Sequence, residues 1–315
     1  RELMVLAGVK DVSVTSIGFQ IGPRINAIGR LADSNTALHL LLSEDDFTAK
    51  MLAKKLDNAN KTRQTQQEEN FQQAISLVEA NYDLEKDHII VIGDKNWHPG
   101  LIGLIAGKIA EMYNKPTLVC SYKEDGYAKG SCRSVAEFNI LEALKSPDAI
   151  KLFKKKNDGS PVMGGHAFAA GFELPISNMT AMKEALNQYA SDKIGEPVKE
   201  KIIEIDSKIL FNDINLVTYT YLMKLAPFGS MNSTPIFICK NVSIFESKTI
   251  SNGKHLKLKI SNGEKSWLPC NAWRKGHLQE SLKPGTKIDI AFNIEIDTWL
   301  NKNALSLNII DITII

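Results

Sequence analysis

The sequence predicts an α/β domain built on a small mixed sheet, preceded by one long helix and followed by an all-β barrel. Three observations carry this. Residues 44–91 contain neither Gly nor Pro. Residues 88–190 alternate short buried-type apolar runs with helical ones. The last hundred residues hold five strand candidates separated by turn signals. At 315 residues the chain has room for about two domains with their own cores.

Composition narrows the class of protein before any motif is read. The chain is 43% hydrophobic and 23% charged, and no apolar run reaches the ~18 residues of a membrane span, so no membrane partner is expected. It opens on "RELMVLAGV", without a Met or a signal peptide, which reads as the middle of a larger protein. With 38 Lys and Arg against 36 Asp and Glu, the net charge is +2. Any nucleic-acid site must therefore be a local patch. Cys120, Cys132, Cys239 and Cys270 form no CxxC pair, which argues against a zinc ribbon or a redox motif and suits reduced thiols in the cytoplasm. The six histidines form no HxH or HxxxH, and no metal ligands are expected in this chain.

In chain order, residues 1–43 read as the tail of a domain. Gly22, Pro23 and Gly29 mark a loop there, and a short helix follows. Ser43 with Asp46 resembles a capping box that opens the long helix, residues 44–82. Leu52 and Leu56 anchor its start and Phe71, Ile75 and Val78 its end, whereas "NANKTRQTQQEEN" between them has little to bury. A helix polar all round bridges two bodies through solvent; the alternative is one arm of a coiled coil, but no heptad survives the middle.

Residues 83–195 read as the mixed-sheet α/β domain. "HIIVIGD", "PTLVCSY", "YAKGSCRS" and "FAAGFELP" are its strands. "GLIGLIAGKIAEMY", opened by Pro99, "NILEALKS" and a run from Met179 to about Tyr189 are its helices. "SDKIGEPVKE" looks like a linker. In residues 196–315, "IFICKNVSIFESKTI", "KHLKLKI", "KSWLPCNAW", "TKIDIAFNIEI" and "ALSLNIIDITI" are strands, interrupted by the helical "GHLQESL". Five strands with that interruption suggest an OB-type barrel over a seven-stranded sandwich.

Four motifs could carry chemistry. "WHPGLIG" places His98 and Gly100 at a strand-to-helix junction, where free N–H groups bind anions; the alternative is a tight turn over a packed Trp97. "KGSCRS" offers Lys129, Ser131, Arg133 and Ser134 to a phosphate, with Ser131 and Arg133 on one face of a strand. The alternative there is a solvated strand edge. "GGHAFAAG" sets His166 behind Gly164 and Gly165, and a lone His is more often structural than catalytic. "GPRINAIGR" flanks Asn26 with Arg24 and Arg30, which either contact phosphate or pair with carboxylates. "KLFKKK", residues 151–156, reads as a solvated basic face.

Taken in order, "GPRINAIGRL", the polar helix, "WHPGLIGLIAGK", "KGSCRS" and "GGHAFAAGF" resemble the RecJ-type single-stranded-DNA exonucleases of the DHH phosphoesterase superfamily, with "LAPFGSMNSTPIF" similar to the entry into that family's OB domain. The resemblance runs over the whole chain. It implies a DHH-associated domain at residues 83–195 and a parent enzyme that removes nucleotides from the 5′ end of single-stranded DNA in repair and recombination. It implies Mn2+ or Mg2+ on a DHH domain whose DHH triplet and aspartates appear nowhere in residues 1–315. The chain is therefore expected to bind single strands without degrading them, with a single-strand-binding protein or a helicase as further partners. Ser131 and Arg133 would hold the 5′ phosphate; Arg24, Asn26 and Arg30 would line the active-site side of the cleft, with Arg24 and His166 near the reacting phosphate. Cys132 stands where the family often has Gly or Ala and would add an oxidisable thiol. The rivals are a non-catalytic single-strand-binding module and a DHH-family phosphodiesterase acting on short RNA or cyclic dinucleotides.

Overall fold

In the computed structural model, described for residues 1–31, 35–136, 138–196, 202–263, 266–297 and 304–315, the chain divides into two compact units, Arg1–Lys201 and Ile202–Ile315. The first begins with helices α1 (Glu2–Ala7), α2 (Val14–Ser16), α3 (Gly22–Leu31) and α4 (Asn35–Leu42). The Gly and Pro punctuation does not make a loop. A π turn, Ile17–Ile21, runs straight into α3, and the Gly22 N–H reaches back to the Ile17 carbonyl. A side chain on Gly22 would sit 2.8 Å from that oxygen, and Pro23 is tolerated because it lies in the first turn of α3.

Helix α5 (Asp46–Asn81) has 36 residues, about 54 Å at ~1.5 Å per residue. Its cap is Asp45, whose carboxylate accepts from Thr48 N–H at 2.8 Å. Ser43 instead donates to the Leu40 carbonyl. Ala53 and Leu56 pack with Leu3, Ile28 and Ala37, while Ala74 and Val78 join the sheet core. The helix thus connects two apolar clusters, but its middle is not polar all round in solvent. Asp57 and Asn60 are buried, and Arg63 and Gln67 are half-buried. These positions continue the inward stripe at helical spacing with polar side chains.

Strands β1 (Ile90–Asp94), β2 (Thr117–Tyr122), β3 (Tyr127–Arg133), β4 (Met163–His166) and β5 (Ala169–Pro175) form one sheet in the order β1-β2-β3-β5-β4, with only β1 and β2 parallel. Helix α6 (Ile102–Tyr113) and the end of α5 cover one face through Ile90, Ile92, Val119, Ile105 and Ile109. Helices α7 (Ile140–Leu144), α8 (Pro147–Ile150) and α9 (Met179–Ile194) cover the other, against Leu118, Cys120, Cys132 and Phe172. Helix α9 runs five residues past the expected end, and the rest of the expected linker, residues 197–200, lies outside the described residues. Pro99 precedes α6 in a turn and does not open the helix.

The second unit holds β6 (Ser207–Lys208), α10 (Leu216–Leu222), β7 (Phe237–Ile250), β8 (His255–Ser261), β9 (Leu268–Ala272), β10 (Lys287–Asp297) and β11 (Ala304–Ile314). The ladder β7-β8-β9-β11-β10 closes when β10 pairs back with β7, giving a five-stranded barrel. All its pairings are antiparallel except β9 with β11. Closure leaves no free edge among these five strands. Val242, Ile244, Leu256, Leu258, Ile260, Ile290 and Phe292 alternate inward to fill it. Among the described residues, no helix is long and apolar enough to cross a membrane.

Candidate nucleic-acid interface

Alternation along β3 sorts its side chains by chemistry. Ala128, Gly130 and Cys132 point into the core against α7 and α9, while Lys129, Ser131 and Arg133 take the opposite face, toward α6. There a cleft of about 360 Å³ is lined by Arg30 of α3, Pro99 and Gly100 of the preceding turn, Gly103 of α6, and Lys129, Ser131 and Arg133 of β3. Three cations line it, and no carboxylate is among its described lining residues. Lys129 has no partner among the described residues. The Arg133 Nη1 donates to the Cys132 carbonyl at 2.6 Å and to Ser131 Oγ at 3.3 Å, both neutral acceptors.

The cleft exists because glycines let three elements approach. A Cβ on Gly103 would stand 3.0 Å from Ser131 Oγ and 3.3 Å from the Arg133 Nη2, and one on Gly107, a turn later, would touch the same arginine's stem. Gly100 is occupied in the same sense: a Cβ there would collide with the Arg30 carbonyl oxygen. Trp97, 1% exposed, anchors the turn from beneath and donates Nε1–H to Gln73 of α5. The packed Trp turn in "WHPGLIG" is observed, and α6 begins directly after it. Helix α6 has no side-chain cap, and among the described residues nothing accepts from the N–H groups of Ile102 and Gly103. Those donors and the helix dipole add to the positive character of the cleft.

Several expected site residues are placed differently. Arg24 is engaged by Asp57, Nε to Oδ1 at 2.9 Å, and by the Gln20 carbonyl, and it does not line the cleft. Lys61 and then Arg24 hold the Asp57 carboxyl below its ordinary value against the effect of burial. Asn26 is exposed on α3. His98 is exposed, and its Nδ1 accepts from the Gly100 N–H at 3.0 Å, tying the turn. Ser134 closes a loop, donating to the Phe138 carbonyl at 2.5 Å. In "GGHAFAAG", β4 and β5 form a hairpin. Gly164 pairs with Gly171, which does line the cleft, and Gly165 takes a positive φ, with Ala169 and Ala170 filling the space of its missing side chain. His166 ends that hairpin opposite Ala169, exposed and outside the cleft lining. The Cys132 thiol is fully buried, and burial raises its pKa well above the ordinary value, so the expected oxidisable thiol is shielded. Lys154 of the basic run pairs with Glu173, and Lys151 with Asp148.

The family resemblance implies that the OB domain binds a strand through basic and aromatic side chains; the second unit presents a face of such residues, none of them singled out by a motif. On the outer side of β8 and β9, Trp273 stands over His255 at 5.1 Å, edge to face. Lys257 pairs in register with Asn271, and the Lys259 ammonium lies 4.4 Å from the Trp267 ring centre and 2.6 Å from Glu246 Oε2 of β7, with which it is ion-paired. Trp267 and Trp273 are 46% and 50% exposed. Lys257 also lies directly opposite Lys248 of β7, a like-charge pair that costs stability. The period-two alternation of "KHLKLKI" was the available signal for the outward lysines; the two tryptophans come beside Lys259 and His255 only through the β8–β9 register.

Residues 86–192 match the DHHA1 domain family and residues 205–311 the RecJ OB domain family. The single-stranded-DNA-specific exonuclease RecJ of Bacillus subtilis is 33% identical over 315 residues, which is 99% of this chain and 38% of that protein. The crystal structure of RecJ in complex with Mn2+ from Thermus thermophilus superposes with a TM-score of 0.79 at 27% identity, over 99% of this chain and 43% of that one. Its Mg2+ complex gives 0.78 over 98% and 45%. The chain spans about two fifths of the length of these relatives.

Proposed function

The chain belongs to the RecJ-type single-stranded-DNA-specific exonuclease family, and on that premise we propose that it supplies the strand-holding and 5′-phosphate-binding part of a metal-dependent 5′-to-3′ exonuclease that serves DNA repair and recombination in the cytoplasm. The observation that carries the reading is the cleft between α3, α6 and β3, lined by Arg30, Lys129 and Arg133 with no carboxylate among the described lining residues. A terminal phosphate brings close to two negative charges at neutral pH and three acceptor oxygens. Arg133 offers a planar fork, Ser131 a hydroxyl, Lys129 a mobile ammonium, and α6 its first free N–H groups. None of these donors reads a base, so the grip is on an end and not on a sequence. On this reading His166, exposed on β4 opposite Ala169 of β5, serves the reacting phosphate of such a strand.

Relatives in this family have been crystallised with Mn2+ and Mg2+. Among the described residues no three His, Cys, Asp or Glu side chains converge, so the described residues do not fit such an ion, and no step of hydrolysis is derived through one. On this reading the chain alone binds strands and does not degrade them, and the barrel face around Trp267 and Trp273 adds binding of its own by stacking bases between lysines. Binding of the purified chain to the same oligonucleotide with a 5′ phosphate or a 5′ hydroxyl tests the proposal. The phosphorylated strand should bind about tenfold more tightly, the worth of one charge-assisted hydrogen bond; equal affinity would overturn the assignment of the cleft.

A further inference from the structure

The helices α3 and α5 carry two arginine-facing positions that are treated in opposite ways. Arg24 meets Asp57, and Lys61 adds a second cation to that carboxylate. Six residues further along each helix stand Arg30 and Arg63, and no carboxylate joins them among the described residues. Arg30 donates to the Gly100 carbonyl at 3.1 Å, and Arg63 to Gln67 Oε1 at 3.2 Å. The Nε of Arg63 is buried without a partner among the described residues, as is Oδ1 of Asn60, one turn earlier and 2% exposed. Burial and then the charge of Arg30 push the Arg63 guanidinium below its ordinary pKa. Two guanidiniums close enough for one to feel the other's charge, partly out of water and with only neutral partners among the described residues, repel at a cost that an anion between them would remove. The Ser131 group does not need this pair. A phosphomonoester carries at most two charges, which Lys129 and Arg133 already match.

We propose that Arg30 and Arg63 form a second phosphate subsite beside the one at Ser131 and Arg133, and that it takes the first internucleotide phosphodiester of a strand whose 5′ phosphate occupies the first. The inference rests on the 5′-phosphate reading above and adds a residue to it. A phosphodiester carries a single charge on two unbridged oxygens, which suits one guanidinium fork with a second cation behind it. Two phosphates held at once fix the direction as well as the position of the strand end, because a reversed strand offers no terminal phosphate at the correct distance. Arg63 is a binding residue here and has no part in bond breaking.

The test is anisotropy of 5′-phosphorylated single strands carrying one neutral methylphosphonate at linkage one, two, three or four, titrated with the full chain. Neutralising the first linkage should weaken binding about tenfold, and more than neutralising the fourth. Arg63→Gln should weaken binding of the unmodified strand by a similar factor and erase the distinction at the first linkage. Equal sensitivity at the first and fourth linkages would overturn the proposal, as would losses from Arg63→Gln and the neutral linkage that multiply independently. The linkage scan on the unsubstituted chain needs no variant, so a poorly folding Arg63→Gln leaves the decision intact. Failure of the underlying reading looks different: the 5′ phosphate itself would then make no difference to any strand.

Discussion

Arg30 and Gly100 fix one another across 70 residues of chain. The Arg30 guanidinium donates to the Gly100 carbonyl at 3.1 Å, and the Arg30 carbonyl fills the space a Gly100 side chain would need. One residue of α3 is thereby set against the turn before α6, and the cleft gains its third wall. Gly100→Ala should force these backbones apart and destabilise the chain by roughly 1–3 kcal/mol, as overpacking does. Urea unfolding checks this. A midpoint unchanged from the natural chain would show that the turn yields without cost.

Arg133 and Gly103 allow a sharper separation of site from scaffold. Arg133→Ala should abolish the preference for a 5′-phosphorylated end and leave the weaker binding of unphosphorylated strands in place. Gly103→Val places a branched side chain where Ser131 Oγ and the Arg133 fork now lie. It should cost the same preference while both original side chains remain present. Competition between phosphorylated and unphosphorylated oligonucleotides measures both; a retained preference in Gly103→Val would mean that the fork does not work from its present position.

How legible this was differs by element. Most strands of both units were readable because β2, β3, β8 and β10 carry clean alternation or buried-type runs bounded by turns, whereas the short β4 and β6 carry neither and were not expected. Ser131 and Arg133 were readable as a pair for the same reason. The segment at Gly22–Leu31 misled because Gly and Pro usually break helices, and nothing local announces that a π turn will lead into α3 so that Pro23 falls in its first turn. The roles of Arg24 and Arg30 could not be told apart from "GPRINAIGR". One meets Asp57 and the other Gly100, and both partners are distant in sequence. Arg63 hid within a stretch whose polarity looked like solvent exposure, since polar residues on the inward stripe of a helix carry no hydrophobic signal.

The Asp57 carboxyl, held down by Lys61 and Arg24, gives a pH signature. A carboxyl whose folded value lies below its unfolded ~3.9 stabilises the fold above that value and loses the contribution as pH falls through the folded value. Asp57→Asn should therefore destabilise the chain at pH 7, by roughly 1–3 kcal/mol for a charged partner left unpaired. The gap between the two chains should narrow below about pH 4, where the carboxyl begins to protonate. Denaturant midpoints at neutral and acidic pH decide it; a constant gap would assign the effect of Asp57 to packing.

The barrel face makes a prediction independent of the cleft. Trp267 and Trp273 flank Lys257 and Lys259 on β8 and β9 over about 20 Å, three two-residue steps at ~3.4 Å per residue, with Lys248 crowding Lys257 from β7. Rings exposed this far gain little from the fold, and adjacent lysines oppose it. A strand that stacks its bases on the rings and lays phosphates over the lysines removes both costs. Trp267→Ala and Trp273→Ala should each weaken single-strand binding by about 1–3 kcal/mol without changing the 5′-phosphate preference. Lys257→Gln should lower the slope of log affinity against log salt by about 0.7, the loss of one phosphate contact on a single strand, and should also raise stability slightly by relieving the Lys248 repulsion. Salt titrations at fixed pH measure the slope. An unchanged slope with raised stability would mean that the crowded lysines serve no bound strand.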